Sequence, residues 1–459
     1  MSDAVIRKEN KMGTMPVGKL LLQMALPLVL SMLVQAAYNV VDSIYISSYS
    51  DNALTALSLS FPIQNLLIGC ATGIAVGATA MISRYLGSKD YEEANRTAAT
   101  SVLLAGAAMV LFMIFGLFLV EPFFRMQSDV EATVQAGISY LRICTVASGG
   151  ILGEVLFERF LQSSGRTAYT MATQGVGAII NIIFDPIFIF GRYGFPEMGA
   201  AGAAWATVLG QFVALILAFL FNHRKNPDLK LTFRRFRLEW AIVRPVLTVA
   251  LPTIIMMSVG SIMTFGFNQI LQGFSETSTN VFGVYFKLQS FVFMPIFGMN
   301  NAMIPVIAYN YGARKPQRIM KAVRYCATAA FLVMVAGLAA FQLIPDVLLS
   351  PFGHSEEFLR LGAIALRIIS LSFLFAGVCI VFGASFQALG NGIYSTIVSF
   401  ARQIVVLLPV AYLLSRTGNV DLVWWSFPIA ELASTAVSVA CFIRLYRQKV
   451  KPLYAEAQA

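Results

Sequence analysis

The sequence predicts an all-α polytopic membrane protein: twelve transmembrane helices built as two parallel six-helix repeats, an N-lobe and a C-lobe, around a central cleft. Three observations predict it. Hydrophobic residues are 58% of the 459, and charged residues only 12%, with a mean hydropathy of +0.73. A soluble domain carries roughly 25% charged residues, so too little polar surface exists here to cover a water-soluble globule. Twelve long apolar runs follow one another, and the chain's punctuation recurs at a constant offset of 225 residues.

The runs cover 20–46, 54–83, 97–120, 132–160, 168–190, 199–222, 241–272, 280–308, 322–344, 358–388, 393–414 and 422–443. Each supplies the ~20 residues that cross a bilayer. Long continuous runs indicate helices rather than alternating barrel strands of about ten residues. Basic residues precede the first run, as in a signal peptide. That run is too long for a signal core, contains Asp42 and lacks a small-residue cleavage pattern, so it is expected to be retained as helix 1. Prolines 27, 62, 186, 252, 295, 409 and 428 lie inside runs and permit kinks.

Orientation follows from Lys and Arg. With both termini inside, 25 of the 33 basic residues fall on the inner side, including Arg7, Lys8, Arg234, Arg235 and Arg237. Four fall outside (Arg125, Arg192, Arg360, Arg416), and four lie within runs (Arg142, Lys287, Arg367, Arg402). This bias predicts cytoplasmic ends. The +10 net charge is therefore topological, and no nucleic-acid partner is expected.

The 225-residue shift places Ala25-Leu26-Pro27 on Ala250-Leu251-Pro252, Gly73 on Gly298, Gly87 on Gly312, and Gln162, Gly165 and Tyr169 on Gln387, Gly390 and Tyr394. An even number of helices per repeat makes the repeats parallel about an axis along the membrane normal. The expected units are an N-lobe at 1–222, a cytoplasmic linker at 223–240 and a C-lobe at 241–459. Rocking of two such lobes opens a cleft to alternate sides, which makes a transporter the leading class.

Ionisable residues inside the bilayer cost several kcal/mol and ask for an explanation. Gln35, Asn39 and Asp42 share one face of helix 1, and Asn181 and Asp185 one face of helix 5, followed by Pro186. At ~1.5 Å per residue, Asp42 lies about 34 Å beyond Lys19 and Asp185 about 28 Å beyond Arg166. Both acids therefore reach the outer part of the membrane, within one lobe. Two adjacent carboxylates in a low-dielectric site cannot both ionise cheaply and exchange protons as a unit; with Asn181 they equally supply oxygen ligands for a small hard cation. The shifted partners are Phe267, Val406 and Val410, so coupling is expected in the N-lobe alone. Gln35, Tyr38, Lys287 and Glu431 are candidate substrate contacts. Lys287 and Glu431 could pair within the C-lobe, Arg402 is ambiguous, and the recurrence of Arg142 at Arg367 favours a structural role. Glu154, Glu158 and Arg159 are read as a solvated or locally paired cluster at the inner end of helix 4.

Cys70, Cys144, Cys326, Cys379 and Cys441 show no CxxC spacing, and His223 and His354 are the sole histidines. No disulfide, metal cluster or cofactor is expected. No P-loop or dinucleotide loop is present, so neither ATP-driven transport nor an enzyme is expected.

These motifs resemble those of the multidrug and toxic compound extrusion (MATE) transporters. They are Asn39-x-x-Asp42, Asn181-Ile182-Ile183-Phe184-Asp185-Pro186, Gln162-x-x-Gly165-Arg166, Gly199 to Thr207 at the start of helix 6, and Trp425-x-x-Pro428-x-x-Glu431. The resemblance covers nearly the whole chain and is nearest the MepA-like, DinF-type branch. It implies an antiporter of the bacterial inner membrane, monomeric among membrane lipids, that exports small organic cations in exchange for H+ or Na+. It further implies an ion-coupling site at Asp42, Asn181 and Asp185, with Thr207 as a further contact. The alternatives are a flippase for a lipid-linked precursor and a membrane-embedded lipid-modifying enzyme. A flippase calls for a strongly basic cleft, and such an enzyme for a dense set of acids; neither pattern is evident.

Overall fold

The computed structural model describes residues 9–232, 238–353 and 355–456. Arg7, Lys8, Arg234, Arg235, Arg237 and His354, and the side chain of Asn39, lie outside the described part. Among the described residues every regular element is helical.

A chain in lipid must satisfy its backbone within each segment, which leaves helices as the open-ended solution. In the N-terminal half these are α1 (Val17–Tyr49), α2 (Asp51–Gly87), α3 (Tyr91–Phe118), α4 (Glu131–Val146 with Gly149–Ser163), α5 (Thr167–Phe190) and α6 (Ala200–Lys225). In the C-terminal half they are α7 (Trp240–Gln272), α8 (Glu276–Gly312), α9 (Pro316–Leu343), α10 (Glu356–Ser370 with Phe373–Ala388), α11 (Gly392–Phe400 continuing to Ser415) and α12 (Ser426–Leu445). Side-chain oxygens cap α3 (Asp90), α8 (Ser275) and the first part of α10 (Ser355). Gly191 ends α5 at φ 67°, the left-handed turn that favours glycine.

The repeat extends to details that composition does not reveal. α4 bends by 43° and α10 by 51°, at positions close to 225 residues apart. At both bends i→i−3 hydrogen bonds replace the helical pattern (Ser148 to Thr145, Ser372 to Ile369). Neither bend contains a proline. Pro27, Pro62, Pro186, Pro252 and Pro295 instead sit inside continuous helices. Pro409 follows a π-helical stretch at Ala401–Leu407. The missing proline N–H frees a carbonyl, and a widened turn accommodates it. Two short helices, Val120–Arg125 and Pro345–Leu349, are also repeat partners.

The two halves meet at the end of the bundle that carries the first and last described residues, here the basic end. Gly87 of α2 packs against the Tyr309 carbonyl of α8, and Gly312 of α8 against the Arg84 carbonyl of α2. Each contact is the 225-shifted image of the other, so the interface is self-complementary about a pseudo-two-fold axis. Any Cβ at either glycine would overlap the facing carbonyl. Gly73 lies against Ala250 of α7, and its partner Gly298 against Val29 of α1. Asn65 donates to Ser261 Oγ at 2.7 Å. A strap over residues 9–15 spans the seam: Asn10 donates to the Ser164 carbonyl (3.1 Å), and Asn310 and Arg318 donate to the Met12 carbonyl (both 3.1 Å). Lys315 pairs with Glu9 at 2.8 Å. The named contacts run from the basic end to about mid-helix, so the structure is closed there.

Candidate functional site

A cavity of about 800 Å³ lies in the N-terminal half, within the range typical of small-molecule sites. Apart from Asn301 of α8, its lining comes from α1, α2, α4, α5 and α6. Leu28, Met32, Leu57, Phe61, Ile68 and Ile151 give it an apolar wall. Its polar groups form two clusters.

The first joins α1, α5 and α6. The Asp42 and Asp185 carboxyl groups stand within direct electrostatic reach of each other. Asn181 donates to Asp185 Oδ1 at 3.3 Å and to Thr207 Oγ1 at 3.2 Å. The i, i+4 spacing on α5 aligns Asn181 and Asp185. Gly210 packs on the Gly177 carbonyl and lets α6 come close to α5. Asp185 is 0% and Asn181 3% exposed. Asp42 Oδ1, Asp185 Oδ2 and Asn181 Oδ1 are buried without a partner. Three unclaimed oxygens beside Thr207 suit one small hard cation, or a proton between the acids. They do not form a transition-metal set: among the described residues no group of three His, Cys, Asp or Glu could hold a metal.

The second cluster lies deeper on the bent inner half of α4. Glu158 is 3% exposed and accepts from Thr173 (2.6 Å) and Gln174 (2.7 Å). Arg159 is buried too, and donates to Asn301 Oδ1 at 3.0 Å across the seam. The cluster is locally paired, and its burial excludes the solvated reading. The 43° bend of α4 turns this stretch into the protein. Glu154, one turn outward, lines the same cavity; the sequence reading placed it in the cluster at the inner end of helix 4 and not among the substrate contacts. Tyr38 stands beside Gln35 and within electrostatic reach of Glu154, Asp42 and Asp185. Gln35, Tyr38, Asp42, Asn181 and Thr207 thus share one cavity.

Lys287 and Glu431 do not come together. Lys287 is exposed, its ammonium 5.9 Å from the Phe352 ring centre. Glu431 instead pairs with Arg402 at 3.1 Å. The π-helical stretch adds a residue to the turn around Arg402 and changes which way it points, an effect regular spacing does not register. Neither Lys287 nor Glu431 lines the N-terminal cavity. Where Asp42 has its repeat partner, the C-terminal half has Phe267, fully buried among Phe282 (4.6 Å), Phe427 (5.0 Å) and Trp424 (6.0 Å). An aromatic plug occupies the space that holds carboxylates in the other half.

Twelve spans in two related halves, with an acid pair inside one of them, define a polytopic membrane transporter rather than an enzyme. The MatE family model matches residues 27–187 and 252–413, two stretches that begin 225 residues apart, and the chain belongs to that family. It is similar to the multidrug export protein MepA of Staphylococcus haemolyticus, 25% identical over 422 residues, covering 90% of each chain. A protein named FAD transporter from Shewanella oneidensis is 24% identical over 430 residues, covering 93% of this chain and 94% of that one. Among solved structures, the outward-facing conformation of a multidrug resistance MATE family transporter of the MOP superfamily superposes with a TM-score of 0.90 at 25% identity, over 98% of this chain and 99% of that one.

Proposed function

We propose that the protein is a secondary antiporter that expels organic cations in exchange for H+ or Na+ by alternating access, from a bacterial inner membrane with both termini cytoplasmic. The observation that carries this reading is an acid pair with unclaimed oxygens set against a drug-sized cavity with an apolar wall, Asp42 lining that cavity and Asp185 buried beside it. Asp42, Asn181, Asp185 and Thr207 are the coupling site, and Asn39 sits one turn before Asp42 on the same face. Gln35 and Tyr38 bridge the coupling site to the drug. Glu154 supplies the counter-charge for a substrate ammonium.

The sign of coupling follows from charge. With the acids deprotonated, the cavity is anionic and attracts a cation. A proton or Na+ entering at the pair cancels that charge, and the drug loses its electrostatic hold. The ion and the drug therefore bias opposite states of the lobes, as coupled exchange requires. The present form, closed at the basic end, is the state that takes the ion from outside and releases drug there.

A second reading, export of an anionic dinucleotide, draws on the relative named FAD transporter. The cavity lining opposes it, with Asp42, Glu154 and Glu158 against Arg159 alone. One experiment tests both. Purified protein in liposomes under a fixed pH gradient is offered a fluorescent monocation or FAD, with Na+ or choline as the bulk cation. Gradient-driven movement of the monocation is expected. Dependence on Na+ assigns sodium coupling, and indifference to choline assigns H+. Movement of FAD alone, or of neither, defeats the proposal.

A further inference from the structure

The repeat locates a second cation site that the coupling reading does not use. α11 and α12 are the shifted images of α5 and α6: Thr167–Phe190 maps onto Gly392–Ser415. Val406 and Val410 replace Asn181 and Asp185, and Phe267 replaces Asp42. One turn from Val406 toward the basic end, the π-helical stretch of α11 presents Arg402 to Glu431 of α12. The image of Glu431 is Ala206, the neighbour of Thr207. The pair therefore occupies the C-terminal counterpart of the α5–α6 contact that holds Asn181 and Thr207.

The two partners are unlike. The Glu431 side chain is 6% exposed and the Arg402 side chain 35%, so the carboxylate is fixed in the protein while the guanidinium reaches it from the open side. One Glu431 oxygen takes Arg402 Nη1, and the other, Oε1, is buried without a partner. Beyond it on α12 the Ser434 and Ser438 hydroxyls are likewise buried and unpaired. A carboxylate this deep needs a positive partner. Among the described residues of the N-terminal half no side-chain cation is bonded to the acid pair, and the partner must come from solution. In the C-terminal half it is tethered to the chain.

We propose that Glu431, with the adjoining α12 hydroxyls, forms a monovalent-cation site in the C-terminal half whose resident occupant is the Arg402 guanidinium. The C-terminal half thereby stays neutral in every state of the cycle, and exchange with the ion gradient is confined to the other half. The inference does not depend on which drug is carried. Vacating the site should create a receptor for a free planar cation.

The test is chemical rescue, read as thermal unfolding of the purified full-length protein. R402A is expected to unfold at lower temperature than the parent. Millimolar guanidinium chloride should raise its midpoint saturably, as binding to the native state alone requires, while choline chloride should not. The parent and R402A/E431Q should show no such rise. Absence of rescue in R402A, or equal rescue in R402A/E431Q, overturns the proposal. If R402A does not fold, recovery of folded protein in R402A/E431Q supports it, because the buried charge has been removed together with its partner; loss of both variants overturns it.

Discussion

At the residue scale the proposed mechanism rests on ionisation at Asp42 and Asp185. Asp42→Asn keeps the volume and the hydrogen-bonding capacity but removes the exchangeable proton. Driven uptake in liposomes is expected to fall at least tenfold in this variant, with its thermal midpoint close to that of the parent. Full retained activity would remove the coupling assignment. Asn181→Ala frees Asp185 Oδ1 and Thr207 Oγ1, at a cost of roughly 1 kcal/mol per lost hydrogen bond. Glu154→Gln is expected to weaken binding of a monocationic substrate about tenfold, or ~1.4 kcal/mol, and to leave a neutral analogue unaffected. Equal weakening of both would show that Glu154 shapes the cavity rather than countering charge. The acid pair was legible in the sequence because i, i+4 spacing and helix rise place both groups at one depth. Arg402–Glu431 was not, since a π-helical stretch shifts the phase of α11. Glu154 and Glu158 were read as a solvated or locally paired cluster at the end of helix 4, and their place on the cavity wall was not legible because nothing in the composition of α4 marks its bend at Ala147 and Ser148.

At the element scale, closure at the basic end depends on backbones that touch. Gly87→Ala forces α2 away from the Tyr309 carbonyl, and Gly312→Ala forces α8 away from the Arg84 carbonyl. The two substitutions act on one seam. Each should lengthen the α2–α8 separation, read by paired spin labels at the basic end, and the double variant should add less than the sum. An unchanged separation in both single variants would show that the seam tolerates a Cβ. The strap is a softer part of the same closure. Lys315 donates a hydrogen bond to the Glu9 carboxylate and holds its carboxyl below the ordinary range, the charge of Lys315 adding to the effect. A depressed carboxyl stabilises the closed form above its unfolded value of 4.5 and loses that contribution as pH falls through the folded value. Acidification in that window should loosen the strap in the parent and not in Glu9→Gln, measured by the mobility of a label at the exposed Thr14. Of these contacts, the glycine punctuation was visible as a repeat, but that Gly87 and Gly312 face each other's helices was not. The interior prolines lie inside continuous helices, and the two sharp breaks fall at proline-free turns.

At the scale of the whole molecule, one half carries a buried acid pair and the other carries an aromatic plug and an internal ion pair. In the proposed mechanism this asymmetry links drug and ion thermodynamically through a single cavity. If a cationic drug binds better to the deprotonated acid pair, its binding must expel protons, and its affinity must rise with pH by the same coupling free energy. Two independent measurements on purified protein therefore have to agree: protons released per drug bound in weak buffer, and the slope of log Kd for the drug against pH. Both should be substantial in the parent near neutrality. Both should fall in Asp42→Asn, where one of the two carboxyl groups that handle the proton is gone. They should persist in Glu431→Gln, because the C-terminal carboxylate is already matched by Arg402. Proton release surviving in Asp42→Asn but lost in Glu431→Gln would place the exchangeable charge in the opposite half and reverse the roles given to the two sites.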